Sequence, residues 1–300
     1  MAKILLTGTS GQVGAALKTA LAPLGEIIAP GRAEMDLGNP ESMREFIREV
    51  APRWIVNPAA YTAVDKAESE PELAYAVNEH AVRVFGEEAE RLGAGVIHFS
   101  TDYVFDGSGD KPYRETDPTG PVSVYGASKL AGEKALAATG AGHMIFRTSW
   151  VYGATGKNFL LTILRLARER ETMSIVDDQH GAPTWSCDLA KMTQRVIDWV
   201  EASARDTELK DALPQWNGVY HAAGSGETTW FGFASEGVRL AAEREPGVKF
   251  ASLAGIPTTA YPTPAKRPAN SRMSGEKLAA RFGWTMMGWK ESVAEVVKAL

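Results

Sequence analysis

The sequence predicts an α/β fold, a doubly wound and mainly parallel sheet with a smaller C-terminal lobe. Three observations predict it. Short apolar runs alternate with longer helical patterns through the first half of the chain. A glycine-rich turn follows the first run directly and opens the first helix. After Trp150 the alternation breaks, and 224–275 is richer in Gly, Pro, Thr and Ser.

In order, "KILLTG", "EIIAP", "RWIVNPA", "GVIHFST" and "HMIFRTSW" read as strands, each bounded by Gly, Pro or polar residues. Between them "GQVGAALKTALAPL", "PESMREFIREVAP", "PELAYAVNEHAVRVFGEEAERLG" and "YGASKLAGEKALAATG" have helical period and composition. Such alternation implies right-handed crossovers and a sheet covered on both faces. Two later runs, "TMSIV" and "GVYHAAG", have the composition to join that sheet, with "SCDLAKMTQRVIDWVEA" as a helix between them. A small strand is expected at "VKFASL". The organisation expected is a dinucleotide-binding domain over 1–150, to which 186–223 returns. A smaller lobe of 151–185 and 224–300 then folds against the sheet's carboxyl edge. The acidic helix 84–91 and "EASARDTELKD" read as solvated faces.

Composition narrows the function. The 300 residues are 44% hydrophobic and 23% charged, with a formal charge of −5 and no long basic run, so nucleic acid is not an expected partner. No apolar run approaches the roughly 18 residues of a membrane span, and "MAKILLTGTSG" reads as a strand and turn rather than a signal sequence. The single cysteine, Cys187, lies on an apolar helix face and is expected to pack. A cytoplasmic protein acting on a small molecule is expected, with any phosphates met by a local basic pocket.

Thr7 to Gly14 reads T-G-T-S-G-Q-V-G, with Gly8, Gly11 and Gly14 spaced G-x-x-G-x-x-G and Ser10, Gln12 and Val13 between them. Directly after a strand and opening a helix, such a turn brings backbone against a pyrophosphate at the helix's positive end. A Rossmann-type dinucleotide site is therefore expected. The second strand ends at Pro30-Gly31-Arg32 rather than at the acidic residue that reads the ribose of NAD. Arg32 in that place favours the 2′-phosphate of NADPH, with NADH left open. Asp36 and Leu37 are placed to border the adenine, and Ala59, Ala60 and Tyr61, after the strand ending in Asn57, to lie along the cofactor.

Thr101, Asp102 and Tyr103 fall at the carboxyl end of "GVIHFST", where ligands of such sheets gather. "YGASK" at 125–129 puts a phenol and an amine one helical turn apart. A phenol titrates near 10, and a cation beside it favours the phenolate. Tyr125 is thus a candidate acid–base group, Lys129 its modulator and a cofactor ligand, and Thr101 a hydrogen-bond donor to a substrate carbonyl. Y-x-x-x-K alone is common; its coincidence with the glycine turn and the strand-end threonine is not.

Seven stretches carry a resemblance: "SGQVG" at 10–14, "TAVDKAESEPELA" at 62–74, "STDYVFDG" at 100–107, "VYGASKLAGEKAL" at 124–136, "FRTSWVYG" at 146–153, "DDQHGAPT" at 177–184 and "AYPTPAKRPANSRM" at 260–273. The chain resembles the extended short-chain dehydrogenase/reductases, in the branch that reduces 4-keto dTDP-6-deoxyhexuloses, over nearly its whole length. The resemblance implies Thr101, Tyr125 and Lys129 as the catalytic set. It further implies Asp102, Tyr103, Trp150, Asn158, Gln179 and Arg267 as substrate contacts, Arg267 and Lys266 facing a nucleotide diphosphate. The reaction implied is reduction of the 4-keto group to dTDP-L-rhamnose. A dehydratase or epimerase on the same fold, and a non-catalytic regulatory subunit, are the alternatives. Dehydratases of this fold place Asp-Glu after the catalytic threonine; here Asp102 is followed by Tyr103. Two departures stand out. Ala16 occupies a position where some relatives carry a glutamate of a metal-bridged dimer, so no metal and a monomer or weak homodimer are expected. Pro58 stands where alanine is usual.

Overall fold

The computed structural model describes residues 2–300. Its main sheet holds six parallel strands. These are β1 (Lys3–Leu6), β2 (Glu26–Ile28), β3 (Trp54–Asn57), β4 (Gly95–Thr101), β5 (His143–Thr148) and an edge strand Gly218–His221. Across the sheet the order is β2, β1, β3, β4, β5 and then the edge strand. Leu5 stands opposite both Ile28 and Ile55. The order reverses between β1 and β3, so their carboxyl ends part there and leave a crevice.

Neighbouring residues of one strand face opposite ways, which is why the middles of these strands carry apolar residues on both faces. Leu6, Val56, Ile97 and Phe146 pack on one face with the helices Gln12–Leu21 and Ser186–Ser203. Leu5, Ile55, Val96 and Ile145 pack on the other with the helices Pro40–Val50, Ala81–Leu92 and Val124–Ala137. The long helical segment from Pro71 to Leu92 contains one π turn, Ala76–His80, with Asn78 buried within it.

Four expectations are corrected. "TMSIV" does not join the main sheet: Thr172–Val176 pairs in parallel with Ser252–Ile256. The reason is visible in its alternation. Met173 and Ile175 are buried while Thr172 and Ser174 are exposed, so only one face is covered. The small strand expected at "VKFASL" begins later, at Ser252. The acidic helix is no solvated face, because Val84, Phe85 and Ala89 are core and Glu88 is buried against Arg44 and Arg48. Likewise Ala204 and Leu209 of "EASARDTELKD" are buried.

Outside the main sheet, the helices Phe159–Glu169, Trp230–Arg244 and Trp289–Lys298 share a cluster of Tyr152, Leu160, Leu164, Phe233, Trp289 and Val293. Cys187 is half-buried, and burial raises its thiol pKa, which keeps it in the unreactive form. Among the described residues no helix is long and apolar enough to cross a membrane.

Candidate active site

At the open end of β1, the glycine turn is fixed by contact. Gly8 has φ +58°, and a β-carbon on Gly14 would lie 2.1 Å from the Gly8 carbonyl oxygen, so the helix can start this close only with glycine there. Gly11 donates its N–H to that carbonyl at 2.9 Å. Beside the turn lies a cavity of about 540 Å³. Thr7 to Ser10, Arg32, Asp36, Leu37 and Ala59 to Tyr61 line it. Its size, the glycine backbone and the helix start fit the adenosine and pyrophosphate of a dinucleotide. Arg32 stands at the rim, largely exposed, with its guanidinium 3.8 Å from Asp36. The side chains of Gln12 and Val13 turn away from this cavity, leaving their backbone to the turn. Gln12 accepts a hydrogen bond from Asn158, and Val13 packs against the core.

The catalytic helix Val124–Ala137 starts where Ser123 caps it by accepting the Gly126 N–H at 3.2 Å. A β-carbon on Gly126 would fall 2.2 Å from the Tyr103 carbonyl oxygen. Glycine in "YGASK" therefore lets the helix press against the end of β4, which brings Tyr125 to Thr101. Tyr125 is half-buried beside the Thr101 hydroxyl, and its ring meets Tyr103 edge-on at 5.5 Å. Thr101 donates to Asp102 Oδ1 at 3.0 Å and accepts the Tyr103 N–H.

Electrostatics depart from expectation at one point. Burial pushes the Tyr125 phenol up to about 12, with Thr101's hydrogen bond opposing and the Asp102 charge adding to the rise. Lys129 makes no hydrogen bond to that phenol. The lysine is buried, and its Nζ donates to the Phe99 carbonyl at 2.7 Å and lies 3.2 Å from His98 Nε2. Burial brings Lys129 itself down to about 7, against the pull of Glu133. Burial also raises Asp102 to about 6, which the Ser271 and Thr101 hydroxyls oppose. The phenol is thus a loaded proton donor at neutral pH, the state that reduction of a carbonyl requires.

The remaining assigned residues divide. Tyr103 is at the site, whereas Trp150 lies in a strained conformation, φ +48°, stacked on Trp230 at 3.7 Å. Asn158 caps the helix Phe159–Glu169 by accepting the Leu161 N–H, and its Nδ2 donates to Gln12 and to the Gly153 carbonyl. Both ends of that amide are engaged inside the protein. Gln179 is similarly held, donating to Thr258 and accepting from Trp230. Arg267 pairs with Asp65 at 2.8 Å and so ties the strap 260–273 to the loop after β3. A larger cavity, about 900 Å³, lies among 111–117, 223–227 and 272–276 and touches none of the catalytic set. No three His, Cys, Asp or Glu side chains gather as metal ligands among the described residues.

The residue reading missed Thr7, Asn57, Asn78 and His98. Each is buried and hydrogen-bonded around the site. Their signal was available: Asn57 follows the apolar run Trp54–Val56, and His98 stands between Ile97 and Phe99.

A glycine turn on the first strand, a cavity at the switch point, Thr101 at the end of β4 and Tyr125 and Lys129 on the helix packed against it define a Rossmann-type short-chain dehydrogenase/reductase. The comparisons narrow the class. The family model described as RmlD substrate binding domain matches residues 2–300. The dTDP-4-dehydrorhamnose reductase of Burkholderia thailandensis is 47% identical over 99% of each chain. That of Escherichia coli K12 is 47% identical over 99% of this chain and 97% of its own. Among solved structures, a Bacillus anthracis dTDP-4-dehydrorhamnose reductase in complex with NADP superposes with a TM-score of 0.88 at 31% identity, covering 100% of both chains. A dTDP-glucose 4,6-dehydratase from Streptomyces venezuelae shares the fold, with a TM-score of 0.76, at only 17% identity over 99% of this chain and 96% of its own. The chain belongs to the dTDP-4-dehydrorhamnose reductase family.

Proposed function

We propose that the protein reduces the 4-keto group of dTDP-4-dehydro-6-deoxy-L-mannose to give dTDP-L-rhamnose with NADPH. The observation that carries this is the protonated, half-buried Tyr125 beside Thr101 at the strand end, with Tyr103 in place of a second carboxylate after Asp102. A carbonyl held by the Thr101 hydroxyl lies within reach of one proton donor and has no adjacent pair of acids to remove water. The glycine turn and Arg32 would hold NADPH, which would supply the hydride. Tyr125 then gives its proton to the substrate oxygen, and the glycine-backed approach of its helix keeps phenol and threonine together. Residues 1–150 with 186–223 carry the cofactor in this proposal, and 151–185 with 224–300 carry the sugar nucleotide, Arg267 exchanging Asp65 for phosphate. With Ala16 in the position of the bridging glutamate, a monomer or weak homodimer is proposed. A cytoplasmic location accords with use of soluble NADPH and a nucleotide sugar.

The test is NADPH oxidation with enzymatically prepared dTDP-4-keto-6-deoxyglucose, with and without the 3,5-epimerase, the product being identified by NMR. Turnover to dTDP-L-rhamnose only with the epimerase is expected. Water loss, or turnover of a different sugar nucleotide alone, would overturn the assignment.

A further inference from the structure

Three buried polar side chains on adjacent strands lead from the glycine turn to Lys129. The Thr7 hydroxyl, at the end of β1, lies 2.6 Å from Asn57 Oδ1 on β3. Asn57 Nδ2 lies 3.1 Å from His98 Nδ1 on β4, and His98 Nε2 lies 3.2 Å from Lys129 Nζ. None of the four side chains' residues is more than 3% exposed. Packing alone would place Val, Ile or Leu at 57 and 98, as at the neighbouring positions of both strands.

The hydrogen count gives this row two arrangements. Burial, and then the Lys129 charge, hold the His98 pKa well below its ordinary 6.5, so the ring is neutral and carries one N–H. With Asn57 donating through Nδ2 to Nδ1, that hydrogen sits on Nε2 and points at Lys129 Nζ, which can accept it only as a neutral amine. An ammonium has no lone pair. A charged Lys129 therefore needs a bare Nε2, a hydrogen on Nδ1 and the Asn57 amide turned to present its oxygen. Thr7 can then accept from the turned amide, as it already does from the Ala59 N–H at 3.3 Å, but its own hydroxyl hydrogen loses Asn57 Oδ1. The row favours the neutral amine and yields to the ammonium by one amide turn and one tautomer change.

We propose that Asn57 and His98 are positioning residues for Lys129, forming a two-state hydrogen-bond relay whose tautomer follows the lysine's protonation. The relay's effect on turnover rests on Lys129 belonging to the catalytic set of the proposed reaction, though its own existence does not. Few other charges enter. β4 brings Asp102 at its end, beside Tyr103 and Tyr125, and Glu133 on the lysine's own helix is already paired with Arg147 of β5. The helical segment 71–92 brings the uncharged Asn78, and its buried acid Glu88 is held by Arg44 and Arg48. The other acids and bases of that segment lie toward its surface, as do Asp65, Lys66 and Glu68 of the turn before it.

The experiment is ¹⁵N NMR of the histidine rings in the full chain, with His98→Gln identifying the resonances, from about pH 6 to about pH 10. The hydrogen is expected on Nδ1 at the acid end and on Nε2 at the alkaline end, without an imidazolium. One tautomer throughout, or an imidazolium forming near the ordinary pKa, would overturn the relay. A second arm uses Asn57→Asp. Its carboxylate accepts from Nδ1, leaves Nε2 bare and favours the ammonium, so the alkaline limb of kcat/KM should rise by about 1 pH unit or more. Lower activity with an unmoved limb would mean Asn57 only supports the fold, against the proposal. Failure of the wild type to reduce the keto sugar would refute the proposed function, while the tautomer measurement would still decide the relay.

Discussion

Two buried cations meet the helix Val124–Ala137 about one turn apart, and they are held in opposite ways. Arg147 comes from β5 and grips Glu133 through two hydrogen bonds, at 2.9 and 2.6 Å, while Ser100 satisfies the same carboxylate. Lys129 lies toward the crevice end and has a backbone carbonyl and a neutral imidazole instead of a carboxylate. The paired cation is a fixed part of the core. The other is kept near the point of losing its proton, at about 7. Burial alone therefore does not decide whether a charge is structural; the partner does.

Glu133→Gln strikes the fixed site. It leaves the Arg147 charge buried without its counter-charge, and should cost about 3–5 kcal/mol of stability in denaturant unfolding. Tyr125→Phe strikes the crevice end and should leave the unfolding midpoint nearly unchanged while kcat falls by about 10²–10⁴. Cofactor affinity should hold, since the phenol faces the carbonyl. Near-normal turnover in a folded Tyr125→Phe protein would erase the distinction between the two ends.

Lys129→Met tests the loosely held charge by its pH dependence. A lysine lowered from 10.5 to about 7 binds fewer protons folded than unfolded between those values, so wild-type stability from this group rises with pH across that window. The variant lacks the group. Its Tm relative to wild type should be most favourable near pH 6 and decline toward pH 10. A flat difference would show that Lys129 is not desolvated. The smallest effect is expected at the exposed rim, where Arg32→Ala should weaken NADPH binding on the order of tenfold and NADH binding hardly at all. Equal losses in calorimetric titrations would remove the 2′-phosphate from the assignment.

What could be read without coordinates follows the same division. The glycine turn, the strand alternation and "YGASK" are local patterns, and local chemistry specifies them. The side chains of Asn158 and Gln179 were not legible, because their hydrogen bonds run to Gln12 and to Trp230 and Thr258, far off in the chain. Lys129 was expected to tune Tyr125 by helical spacing, but its long stem instead reaches the β4 carbonyl of Phe99. The placement of "TMSIV" was legible in principle: its alternation marks a strand with one covered face, and the main sheet has none to spare. Arg267 carries no such signal, since its partner Asp65 lies in another region of the chain.

The π turn at Ala76–His80 gives the helical segment 71–92 a change of phase. Each π turn holds an additional residue, so the stretch after it is rotated relative to an unbroken α-helix. Leu73 and Val77 can then border the cofactor cavity, while Val84, Phe85 and Ala89 still point into the core. Asn78, within the turn, spans the gap, accepting the Tyr61 N–H and reaching Ser128 of the catalytic helix. Removal of one residue from this turn would restore α-helical winding and leave only one of the two halves correctly aimed. The segment is thus indexed by residue count, and a length change there would misalign it even if every side chain were kept.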